Sequence, residues 1–145
     1  MTVAKSLPHL WQKVRKLLIS KLFLSYSCIF VKNSNILLLG ITFKENCPDI
    51  RNTKIVDIYS TLQEYTSNIV VYDPWANIDR VKHVYGIKLE TQNIDTLKGK
   101  FDVVILGVAH NEFKNINIRD FLSTSNGVVY DVKGILDKTI IDGRL

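Results

Sequence analysis

Four short apolar runs constrain this chain more than any other feature. They are ILLL at Ile36–Leu39, IVVY at Ile69–Tyr72, VVILGV within Phe101–Val108, and GVVY at Gly127–Tyr130. Each is continuous rather than alternating, the pattern of a parallel strand covered on both faces. Helical spacing separates them. Ile55, Val56, Ile58, Tyr59 and Leu62 fall on one side of a helix that Asn52 is expected to cap and that runs to about Tyr65. Ile78–Tyr85 reads as a short helix closed by Gly86, Ile87–Leu89 as an edge strand, and Asn93–Lys98 and Ile118–Leu122 as helical turns. GVVY is expected to be the last strand. Strands alternating with helices imply a Rossmann-like three-layer α/β/α domain with a mostly parallel sheet and right-handed crossovers. A length of 145 residues suits one such domain.

The overall charge of +5 is unevenly spread. Residues 1–32 hold six Lys and Arg and no acid, whereas residues 33–145 hold 13 basic and 14 acidic side chains. The basic character thus belongs to a leader and the body is neutral, which weighs against a nucleic-acid-binding surface. Within the leader, Leu7, Leu10, Trp11, Val14, Leu17, Leu18 and Leu22 follow helical spacing. An amphipathic N-terminal helix from Leu7 to Leu24 is the expectation. Lys21 interrupts its apolar run and no small-residue cleavage site follows, so a signal peptide is disfavoured. Leu17–Val31 is short for an integral membrane span. Cys28 and Cys47 show no ligand or redox spacing, and His9, His83 and His110 are scattered. Reduced thiols in a cytoplasmic protein, with no metal, are expected.

The polar groups that follow the strands carry the chemistry. In an open α/β sheet, ligands bind beyond the carboxyl ends of the strands. Lys44 and Arg51 lie after the first run, His110 after the third, and Lys133 and Gly134 after the fourth. Cations gathered on one rim make a plausible diphosphate site, because Lys and Arg donate charge-assisted hydrogen bonds to phosphate oxygens. His110 either meets a ligand or caps the next helix; the structural role is favoured. Nothing in this set transfers a hydride or attacks a carbonyl. Gly40 stands alone, without the glycine-rich fingerprint of a dinucleotide site, so Asp73 reads as a turn former rather than a ribose ligand.

GITFKENCPDIRNTK at Gly40–Lys54, YDPWA at Tyr72–Ala76, GVAHNEF at Gly107–Phe113 and DVKGIL at Asp131–Leu136 resemble, in order and spacing, the C-terminal domain of the UDP-glucose/GDP-mannose dehydrogenase family. The resemblance is strongest to the branch that oxidises UDP-N-acetyl-hexosamines for bacterial surface polysaccharides. It implies that Lys44 contacts the nucleotide sugar and that Phe43 lines its pocket. Lys133, with Gly134, would meet the substrate diphosphate, often from a neighbouring subunit. Arg51 would reach towards the NAD phosphates across an interdomain cleft. The implied reaction is a four-electron oxidation of a sugar CH₂OH to carboxylate through a cysteine thiohemiacetal.

The chain also departs from that pattern. It carries no glycine-rich NAD fingerprint, and neither Cys28 nor Cys47 lies in the family's nucleophile motif. NAD would therefore be bound mainly by a domain absent from this chain, and the partners implied are a UDP-sugar and the missing NAD-binding and central domains. The chain is expected not to turn over alone. It would be a fragment of a three-domain dehydrogenase, or else a free-standing or degenerate binding module.

Overall fold

The computed structural model describes residues 33–144. The leader helix expected over Leu7–Leu24 lies outside the described residues. Five parallel strands form one sheet: β1 (Ile36–Leu39), β2 (Ile69–Tyr72), β3 (Val103–Leu106), β4 (Val128–Asp131) and β5 (Gly143–Arg144), in the order β2-β1-β3-β4-β5. Three helices connect them, α1 (Ile55–Gln63), α2 (Ile78–Tyr85) and α3 (Asn111–Lys114), with 3-10 turns at Ile94–Leu97 and Ile118–Phe121.

Alternation along each strand divides the core in two. Ile36, Leu38, Val103 and Ile105 pack with Ile55, Ile58 and Leu62 of α1 and Val81 of α2. Leu37, Leu39, Val104, Leu106 and Val129 pack on the other face with Leu97, Phe113, Ile118 and Phe121. Both faces are covered, which is why the strands read as unbroken apolar runs.

Three local features differ from the sequence reading. Helix α1 begins at Ile55, and Asn52 does not cap it; Asn52 sits in the left-handed region at φ 58°. Lys54 stands at the N-cap without a side-chain cap, and Thr53 just before it serves the first turn, its Oγ1 accepting the Ile55 N–H at 3.2 Å. Ile87–Leu89 contributes a single parallel bridge, Leu89 to Val71, rather than a strand. The sheet does not end at β4, because β5 pairs beside it. Arg119 accounts for β5: its guanidinium donates to the Ile140 carbonyl and Asp142 Oδ2 on one side and to the Ser125 and Gly127 carbonyls on the other. Asp142 Oδ2 in turn accepts the Val129 N–H at 2.8 Å.

The chain runs outward from β1 to β2, then returns past β1 to β3. That reversal opens a crevice at the carboxyl ends of β1 and β3, the topological switch point of such sheets. Gly40 permits the close approach there. Its φ is +87°, and a Cβ on it would lie 2.5 Å from Val108 Cβ and 2.9 Å from Val108 N. Gly40→Ala is therefore expected to cost about 2–4 kcal/mol, combining left-handed strain with overpacking. Gly86 caps α2 with φ +69° and open space around it, so Gly86→Ala is expected to cost only about 1 kcal/mol. Urea midpoints of the two variants check the difference.

Candidate functional site

Two buried aspartates, one closing β2 and one closing β4, organise the rim. Asp73 Oδ1 accepts the amides of Trp75 and Ala76 at 2.8 and 3.0 Å, the turn-forming role expected of it. Its Oδ2 reaches further, accepting the amides of Ile41 at 2.7 Å and Thr42 at 3.1 Å from the segment after β1. Oδ2 also lies 3.0 Å from His110 Nε2, and both side chains are fully buried. Burial by itself raises the Asp73 carboxyl, but the hydrogen bonds from His110 and the Ile41 and Trp75 amides outweigh it and hold the group below its ordinary value. An acid so enclosed has no lone pair left for a ribose.

Asp131 does the same for the loop after β4. Fully buried, it accepts the Lys133 and Gly134 amides on Oδ1 at 3.0 and 2.9 Å and the Leu136 amide on Oδ2 at 2.7 Å. Gly134 adopts φ 69°, a conformation that glycine takes without strain.

The side chains these loops project are exposed. Phe43 is 51% exposed and Ile135 46%, while Lys44 and Lys133 stand beside them. Neither ammonium has a hydrogen-bond or ion-pair partner among the described residues. β1 and β4 both border β3, so their ends stand about 10 Å apart, two inter-strand spacings. The structure thus puts Phe43, Lys44, Lys133 and Gly134 on one rim, on either side of the β3 end.

The other two cationic candidates are placed differently. Arg51 is exposed, but Asp49 engages it doubly, Nε to Oδ1 at 3.0 Å and Nη2 to Oδ2 at 2.9 Å. That guanidinium, helped by the Arg51 amide, pulls the Asp49 carboxyl down to about 2. Arg51 therefore offers a partly neutralised edge rather than a free cation. His110 is wholly buried and faces the protein interior. Trp75 stacks over it, with centroids 6.3 Å apart and planes at 23°, while the indole N–H donates to Glu112 Oε2. The aspartate loops could have been found in the sequence, since DPWA and DVKG each place an acid just before the amides it binds. The Asp73–His110 contact had no local signal. Among the described residues no cluster suits a metal, and no helix is long and apolar enough to cross a membrane.

Comparison with known proteins sets this chain in a family. A UDP-N-acetyl-D-glucosamine 6-dehydrogenase from Pseudomonas aeruginosa is 47% identical over 120 residues, 81% of this chain and 28% of its own length. Protein CapL from Staphylococcus aureus is 39% identical over 110 residues, covering 74% and 25% respectively. The chain thus spans about a quarter of the length of these curated relatives. Among solved structures, a UDP-D-ManNAc dehydrogenase from Pyrococcus horikoshii matches 92% of the chain and 29% of its own, with a TM-score of 0.69 at 18% identity. A UDP-glucose dehydrogenase from Pyrobaculum islandicum matches 93% and 30%, with a TM-score of 0.65 at 19% identity. These structures share the fold. Residues 37–138 match the model of the UDP-glucose/GDP-mannose dehydrogenase family, UDP binding domain, and the chain belongs to that family.

Proposed function

We propose that the rim between the β1 and β4 loops binds the diphosphate and nucleoside of a UDP-sugar, as the substrate-binding part of an NAD-dependent nucleotide-sugar 6-dehydrogenase. The observation that carries this reading is the pair of ammonium groups, Lys44 and Lys133, which have no partner among the described residues and stand on loops held by buried aspartates. Each can donate to phosphate oxygens without first giving up a protein partner. Phe43 offers a ring face to the base or sugar, and Gly134 allows close approach beside Lys133. Arg51, braced by Asp49 through Nε and Nη2, turns its remaining Nη1, unpaired among the described residues, to the NAD phosphates of the partner domain. The name of the Pseudomonas aeruginosa relative fits a UDP-N-acetyl-hexosamine as the sugar, and the motif resemblance adds surface polysaccharide as the destination of the product. Hydride transfer and thiohemiacetal chemistry fall to residues outside this rim, which has no group suited to either.

Titration calorimetry of UDP, UDP-N-acetylglucosamine and NAD into the 145-residue chain tests the reading. The UDP compounds are expected to bind at about 0.1–1 mM, equivalent to about −4 to −5.5 kcal/mol, because one wall of the cleft leaves much of the ligand in water. NAD is expected to give no heat. Binding of NAD alone would overturn the assignment.

A further inference from the structure

We propose that His110 is a positioning residue for this site, a latch that holds the Phe43–Lys44 loop in its ligand-ready shape through the backbone of Asn46. The inference rests on the reading of the rim as a UDP site.

The latch follows from which atoms give and which accept. The Asn46 N–H donates to His110 Nδ1 at 3.0 Å. An Nδ1 that accepts carries no proton, so the ring is the Nε2–H tautomer. Nε2 then donates to Asp73 Oδ2 at 3.0 Å, with Thr42 Oγ1 at 3.2 Å as a second acceptor. Thr42 can accept because it gives its own proton to the Lys44 carbonyl at 3.0 Å. Asn46 returns the contact, its Oδ1 accepting the Asn111 N–H at 3.0 Å. The Phe43 N–H donates to the backbone carbonyl of Asp49 at 2.7 Å, which closes the base of the same loop.

One buried imidazole therefore joins three strand ends: Asp73 after β2, Thr42 and Asn46 after β1, and its own segment after β3. Asn46 supports this by taking φ 52°, a left-handed conformation that must be held by its surroundings. Phe43 and Lys44 lie between the anchored Thr42 and the anchored Asn46. Their side chains are free while their backbone is fixed, the arrangement that lowers the ordering cost of binding. His110 touches no ligand in this scheme; it acts through the loop.

Two substitutions separate the halves of the latch. In His110→Gln the distal amide nitrogen stands near the place of Nε2 and keeps a donor for Asp73, but Asn46 loses its acceptor. In His110→Asn the oxygen stands near the place of Nδ1 and keeps that acceptor, but Asp73 loses its donor. Calorimetry with UDP and thermal melts of the full chain read both variants. His110→Gln is expected to melt above His110→Asn, with both below wild type, yet to bind UDP about five- to tenfold more weakly than wild type. His110→Asn is expected to melt lower yet bind within about threefold of wild type. Affinities that follow the melting order, or an unchanged His110→Gln, would overturn the latch and leave the UDP site standing. A wild-type chain that binds no UDP would overturn both. Should neither variant fold, amide exchange in the wild type decides: the Asn46 amide is expected to exchange at least about tenfold more slowly than that of exposed Glu45, and equal rates would overturn the proposal.

Discussion

Asp73→Asn is expected to destabilise the domain by about 3–5 kcal/mol at neutral pH, the cost of breaking a buried, hydrogen-bonded charge. The carboxylate takes the amides of Ile41, Thr42, Trp75 and Ala76 together with His110 Nε2. An asparagine keeps one oxygen and turns an NH₂ towards donors on the other side, so at least two buried N–H groups lose their acceptor. Against a typical stability of about 5–15 kcal/mol this is a large fraction. It should appear as a fall in melting temperature of roughly 15 °C or more. The pH dependence has a definite sign. A carboxyl lowered in the folded state contributes stability that is complete above its unfolded value, near 3.9, and is lost as pH falls through the lower folded value. The gap between wild type and Asp73→Asn should therefore be full at pH 7 and shrink below about pH 4. Asp49→Asn is the control. Its carboxyl is also lowered, but its ion pair with Arg51 lies in solvent, where such pairs contribute little. A melt of Asp73→Asn that overlays the wild type would show that the rim is held by something else.

Removing both lysines should abolish UDP binding without touching the fold. Each charge-assisted contact to a phosphate is worth about 1.5–3 kcal/mol, so Lys44→Ala and Lys133→Ala should each weaken binding by roughly ten- to a hundredfold. Both lysines hold the same diphosphate in this reading, so the losses are not independent, but the double variant keeps neither cation and should show no heat with UDP. Melting temperatures should stay close to wild type, since both ammonium groups are exposed and have no partner among the described residues. The steepness of the salt dependence should fall in the same order. Both single variants binding as wild type would place the phosphates elsewhere.

What the sequence made legible follows from the range of each interaction. β1, β2 and β3 were plain because two covered faces leave continuous apolar runs, and α2 because Asn77 caps it and Gly86 ends it locally. The start of α1 was misjudged because Asn52 and Thr53 are both good caps by type, and only the φ of 58° at Asn52 separates them. β5 had no sequence signal: its two residues owe their place to Arg119, 21 positions before Ile140 and 23 before Asp142. At the rim, Phe43, Lys44, Lys133 and Gly134 were readable as loop residues after strands. The pairing of Arg51 with Asp49 was also within reach, being two positions apart. The structural role favoured for His110 agrees with its burial, but its partners Asp73 and Asn46 were not readable, being 37 and 64 positions away. A polar residue after an apolar run looks the same in sequence whether it faces ligand or interior.

The most direct test of the central claim is to titrate UDP into the isotope-labelled chain and follow its backbone amides by NMR. The amides of Phe43, Lys44, Lys133, Gly134 and Ile135 are expected to shift together along one saturation curve. Asn35 and Asp102, at the opposite ends of β1 and β3, should stay still. Shifts confined to that opposite edge, or none at the rim under saturating UDP, would contradict the account.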